Sequence, residues 1–169
     1  MGLIDDSLEP MDKELENLNR DRGIVLNLAL QIEDILEGVL ASYFVTNDST
    51  KKSLLEIDLI NELTFEKKIQ LFRKICAQEN VDKFELDVLF SSIKSVQEWR
   101  NKVAHWKTSV DPYKRETFLR KREVFGMGEF IKLDKDILER LHLEKENAVK
   151  RIIDLHQRFH GWNKKEFIS

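Results

Sequence analysis

Residues 14–43, ELENLNRDRGIVLNLALQIEDILEGVLASY, decide the fold class. Apolar side chains recur at Leu15, Leu18, Val25, Leu28, Ile32, Ile35, Leu36, Val39, Leu40 and Tyr43. Steps of three and four place them on one face of an α-helix, which turns by about 100° per residue. The spacing predicts a long first helix from Glu14, with Gly23 as a candidate break. The same stretch cannot lie in hydrocarbon, because Asn27, Gln31, Glu33, Asp34 and Glu37 interrupt it.

Working outward, Thr46 to Thr50 is a run of residues whose side chains compete for backbone groups, so a loop is expected there. Ser53 to Asn61 fits a short helix only loosely. Thr64 is placed to cap a second long helix carrying Phe65, Ile69, Phe72, Ile75 and Cys76. Asp82 and Glu85 have capping-box spacing ahead of Phe84, Val88, Leu89, Ile93 and Val96, so a further helix should run from about residue 83 to the Trp99 region. Arg122 to Phe125, Gly126-Met127-Gly128 and Glu129 to Leu133 alternate about a glycine turn, as in a small hairpin. A last helix from about Asp134 carries Ile137, Leu138, Leu141, Val149, Ile152, Ile153 and Phe159, with Gly161 suited to its end. The expectation is an all-α bundle of four to five helices with a hairpin-like excursion near residues 122–133. One domain over 1–169 suffices, with 1–13 a flexible N-terminal segment.

Composition agrees. Among 169 residues there are only 6 Gly and 2 Pro, too few for a turn-rich β-sandwich. The acidic start lacks a basic flank before an apolar run, so no export signal is expected. One cysteine, Cys76, allows no intrachain disulfide and suits a reducing cytoplasm. The formal net charge of −3 is unevenly spread: residues 1–40 carry a net −7 and residues 94–122 a net +6. The second window is a candidate surface for polyanions, although basic side chains also commonly just solvate a surface.

The segment with chemical content is Trp99-Arg100-Asn101-Lys102-Val103-Ala104-His105-Trp106. Arg-Asn-x-x-Ala-His near the end of a helical domain resembles the signature of the HEPN superfamily, helical domains of prokaryotic toxin, defence and RNA-processing systems. The helix around Ala29 to Tyr43 and the stretch Leu63 to Ile69 sit where such domains place their other core helices, so the resemblance covers roughly residues 20–110. The layout is also similar to the mannitol operon repressor family. The resemblance implies a homodimer in which two Arg and His pairs line one cleft, and RNA cleavage that needs no metal or cofactor. Membership of a toxin–antitoxin system would add a cognate antitoxin protein as partner. Members modified by a partner nucleotidyltransferase carry a Tyr two positions after the His. Here that position is Lys107, which argues against such regulation.

Cleavage by attack of the ribose 2′-hydroxyl needs a proton acceptor, charge stabilisation on the phosphate and a proton donor for the departing 5′-oxygen. Imidazole titrates near neutral pH and guanidinium matches phosphate geometry. His105 is therefore the candidate proton-transfer group, Arg100 the phosphate clamp, and Asn101 the group that holds either. Lys102, Lys107, Lys114, Arg115, Arg120, Lys121 and Arg122 are candidate backbone contacts. On an ideal helix Arg100 and His105 lie about 140° apart, so either the helix bends there or two copies complete the site. The alternative is structural: a buried Arg100–carboxylate pair, with His105 donating to a helix-end carbonyl.

Other candidates are weaker. Trp99 and Trp106 can stack bases but more naturally pack in a core or dimer. His142, His156 and His160 lack the pattern of a zinc peptidase, and Cys76 lies on an apolar stripe. The readings left are an endoribonuclease, an RNA-binding or transcription-regulating module on the same scaffold, and a helical dimerisation scaffold. No recognisable helix-turn-helix favours sequence-specific DNA binding.

Overall fold

The computed structural model describes residues 9–45, 49–111, 113–114, 116–121 and 128–160. They form α1 (Glu9–Phe44), α2 (Ser49–Leu55), a π-helical segment (Glu56–Ile60), α3 (Phe65–Gln78) and α4 (Lys83–His105). Strands β1 (Lys107–Asp111), β2 (Glu116–Arg120) and β3 (Phe130–Ile131) follow, then α5 (Lys135–Phe159). The chain is an α-helical bundle with a small antiparallel sheet, as the apolar periodicity predicts.

The periodic stretch forms one unbroken helix that begins at Glu9, before Glu14, and passes through Gly23. A Cβ at Gly23 or Gly38 would meet nothing within 4 Å, so neither glycine serves a close approach or a bend. Val25, Leu28, Ile32, Leu36, Val39 and Leu40 are buried, whereas Leu15 is 37% exposed. Thr64 caps α3 by accepting from the Lys67 N–H at 3.4 Å. The helix ends in a Schellman motif: Val81 N donates to Cys76 O at 3.0 Å and Asn80 N to Ala77 O at 3.2 Å. Asn80 takes the left-handed conformation this requires, at φ 55°. Asp82 Oδ1 accepts from the N–H groups of Phe84 and Glu85 at 2.9 and 3.2 Å. The Glu85 carboxylate does not complete the box but accepts from Arg158, at 2.5 Å. Asp134 caps α5 through the Ile137 N–H, at 2.9 Å.

Two expectations need correction. α4 does not stop near Trp99 but continues to His105, because Trp99 and Val103 extend its buried stripe by another turn. The β excursion starts at Lys107, well before residue 122. Its first hairpin joins β1 and β2, where Asp111 Oδ1 accepts from the N–H groups of Tyr113 and Lys114 at 2.9 and 3.1 Å. An Asp that satisfies two turn amides makes a turn without glycine. β2 then pairs with β3, Leu119 opposite Ile131 and Arg120 opposite Phe130. Arg122 to Met127, including most of the expected glycine turn, lies outside the described residues, as do the expected helix end at Gly161 and the start of the N-terminal segment.

Two compact units divide the chain: residues 1–29 with 95–142, and residues 30–94 with 143–169. In the second, α1, α3, α4 and α5 pack through aromatic contacts. Phe72 lies 6.4 Å from Phe90 and 6.5 Å from Phe159, centroid to centroid, and Tyr43 lies 6.0 Å from Phe159. Inside this unit Lys68 is buried at 2% exposure and bridges two carboxylates of α1, Glu33 at 2.7 Å and Glu37. Burial alone would depress the Lys68 ammonium. The hydrogen bonds and charges of Glu33 and Glu37 outweigh it and hold the pKa above the ordinary lysine value. Cys76 is buried in the same unit, and burial pushes its thiol up to about 12. In the first unit, Trp99, Val103, Leu119, Leu133 and Leu141 form the core with the early part of α1.

Candidate nucleic-acid interface

The Arg100 to His105 segment forms the last turns of α4, and Lys107 opens β1 two residues later. A helix end leaves carbonyls without intrahelical partners. Trp106 N takes the Lys102 carbonyl at 2.8 Å. The Val103 carbonyl accepts from a side chain of α1: Arg22 donates to it from Nε at 3.0 Å and from Nη2 at 2.5 Å. Arg22 Nη1 also donates to Thr108 Oγ1 on β1, at 3.1 Å. One guanidinium thus ties α1, the end of α4 and the start of the sheet, and its charge lies at the negative end of the α4 dipole.

In the sequence Arg22 enters only the net charge of residues 1–40. A signal was present: Arg22 is four residues after Leu18 and three before Val25, on the apolar stripe itself. A basic residue there must find acceptors or destabilise the helix. Arg22 also takes the role given to His105 in the structural alternative, donation to a helix-end carbonyl.

The expected site residues separate into groups. Arg100 is half-buried and donates from Nη1 to Asn101 Oδ1 at 3.2 Å. It makes no ion pair with a carboxylate among the described residues. Asn101 and His105 are exposed. Because α4 stays helical through His105, no bend brings Arg100 and His105 to one face, and they remain about 140° apart. Lys102 is half-buried, with its ammonium 4.7 Å from the Trp99 ring centroid and 5.8 Å from that of Trp106. This cation–π arrangement sets one ammonium against both indoles. Trp99, at 7% exposure, is a core residue and offers no stacking surface.

The sheet collects the other cations. Lys107 and Arg120 are directly opposed in the β1–β2 register and both are exposed, as are Lys114 and Lys121. Arg115 and Arg122 lie outside the described residues. Of the two acids on these strands, Asp111 serves the turn amides and Glu116 accepts from Lys132 at 2.8 Å, which pushes the Lys132 ammonium above its usual value. His156 and His160 stack edge to face, 4.5 Å apart. No group of three or more metal-binding side chains occurs among the described residues, and no described helix is long and apolar enough to cross a membrane.

Comparison with known protein families, with curated proteins and with solved structures finds no match.

Proposed function

We propose that the chain is a metal-independent endoribonuclease of HEPN type, acting in a toxin–antitoxin or defence setting, with Arg100, Asn101 and His105 as its reacting groups. The observation that carries this reading is the exposure of His105 at the end of a helix that Arg22 holds in place. An imidazole kept at the surface one turn from Asn101 is accessible to a phosphodiester.

In this scheme one His105 takes the proton of the ribose 2′-hydroxyl as its oxygen attacks phosphorus. The phosphorus–5′-oxygen bond breaks, and a second His105 gives a proton to the departing oxygen. The products are a 2′,3′-cyclic phosphate and a 5′-hydroxyl. Arg100 neutralises charge on the phosphate oxygens, oriented by the amide of Asn101. The 140° between Arg100 and His105 on one helix means that a single copy does not close the site, so the active form is a homodimer with two α4 ends at one crevice. The cytoplasm is the compartment where such a target and a cognate antitoxin would be met.

The pairing of Arg100 with its neighbour Asn101 favours a second reading, an RNA-binding or regulatory module of the mannitol operon repressor type without turnover. The deciding experiment incubates the full chain with mixed RNA in EDTA beside Arg100→Ala and His105→Ala. Cleavage that both substitutions abolish establishes the nuclease. Retention of RNA without cleavage, unchanged in His105→Ala, establishes the binder.

A further inference from the structure

We infer that the outer face of the β1–β2–β3 sheet is a docking platform for single-stranded RNA, on which an unpaired base stacks against Phe118 and Phe130 while Lys107 and Arg120 hold its phosphates. The choice of RNA as ligand rests on the reading of Arg100 and His105 given above; the platform itself rests on separate residues.

Side chains alternate across β2: Thr117 and Leu119 are buried, whereas Phe118 is half-buried and Arg120 exposed. The register places Ser109 opposite Phe118, and Lys107, Arg120 and Phe130 in one row across three strands. Phe130 is 51% exposed, so its ring is open to a ligand beside the cations of the row. The Arg120 guanidinium lies 5.5 Å from the Phe130 centroid, so ring and charge present one surface. Beside them is an open cavity of about 410 Å³ lined by Ser109, Val110, Asp111, Phe118 and Phe130. That size matches small-molecule sites, and its polar groups, Ser109 and Asp111, suit a base edge.

Charge selects the occupant. Glu116 is ion-paired with Lys132, and Asp111 lies at the turn end of the ladder, opposite to the Lys107–Arg120 pair, so that row is cationic. Exposed aromatic rings next to basic side chains fit a ligand with alternating flat bases and phosphates, provided the bases are unpaired. A duplex hides its base faces and gains only the phosphate contacts. β1 starts two residues after His105, so a strand held here runs close along the chain to the proposed reacting group.

The test uses the full chain carrying His105→Ala, so that no substrate is lost, and measures anisotropy of a labelled oligouridine of about twelve nucleotides against an RNA duplex of the same length. Tighter binding of the single strand is expected. Phe130→Ala should weaken it by about tenfold, while Phe130→Tyr, which keeps the ring, binds as the parent does. Lys107→Gln with Arg120→Gln should lower the slope of log affinity on log salt by about 1.4. Circular dichroism verifies folding of each variant. Equal affinity for duplex and single strand, no retention of the single strand at low salt, or parental binding by Phe130→Ala overturns the platform. So does a change of oligomeric state in Phe130→Ala with RNA affinity intact, which would make this face a protein interface. Cleavage by the wild-type chain with affinity indifferent to Phe130 removes the platform and keeps the nuclease. Absence of cleavage with the expected binding profile does the reverse.

Discussion

Arg22, near the middle of α1, donates from Nε to the main-chain carbonyl of Val103, within the last turn of α4, at 3.0 Å. The same side chain reaches Thr108 on β1, so a residue distant in sequence fixes where α4 stops and the sheet begins.

Replacing Arg22 by Met keeps most of the apolar stem but leaves the Val103 carbonyl unpaired. A half-buried acceptor without its charged donor costs about 1–3 kcal/mol. Arg22→Met should therefore lower the urea midpoint by that equivalent, and hydrogen exchange should accelerate at the Trp106 and Lys107 amides before the core of α3 responds. Arg22→Lys should recover little, since one ammonium cannot reproduce the forked contact. Unchanged exchange at the end of α4 would show that Arg22 is not what holds it.

Lys68 should make stability fall on the alkaline side. Its pKa is raised in the folded chain, so the stabilisation is complete below the unfolded value of about 10.5 and is lost as pH rises through the higher folded value. Lys68→Met leaves Glu33 and Glu37 facing each other without a cation and should cost about 3 kcal/mol at neutral pH. The difference in urea stability between wild type and Lys68→Met should shrink above about pH 10.5. A constant difference across that range would contradict the assignment.

Cys76 should be inert in the folded protein. Its thiol is fully buried and shifted to about 12, so almost no thiolate exists at pH 8. Reaction with Ellman's reagent should be slow without denaturant and should accelerate with urea along the unfolding transition. Rapid labelling of the native chain would be the contrary outcome.

Gly23 and Gly38 carry no conformational demand, so alanine at either should stabilise α1 by about 0.5–1 kcal/mol, read as a rise in melting temperature. Asn80 is the opposite case. Its φ of 55° is tolerated by Asn and preferred by Gly, so Asn80→Gly should be neutral to stabilising, whereas Asn80→Ala should cost about 1 kcal/mol.

Much of the architecture was legible because it follows from local rules. The three-and-four spacing of α1, the Thr64 cap and the start of the last helix near Asp134 each depend on residues within a turn or two of one another. The sheet was misplaced for a related reason: Lys107 to Arg120 reads as a cluster of charge, and its strands are defined by pairing across a turn that Asp111 closes without glycine. Lys68 and Arg22 carry no local signal of their partners, because each is a single cation on an apolar stripe and its acceptors come from other elements of the fold.

The sequence by itself determined that the chain is helical and that α1 presents a continuous apolar face. These are consequences of 3.6 residues per turn acting on neighbouring residues. Only the tertiary structure decided that α4 runs straight through His105, that Trp99 is core and Lys102 covers its ring, and that Phe118, Phe130, Lys107 and Arg120 meet on one face. Such outcomes depend on which distant groups satisfy a buried carbonyl or pair across a strand, and periodicity along a single chain carries no term for that partner.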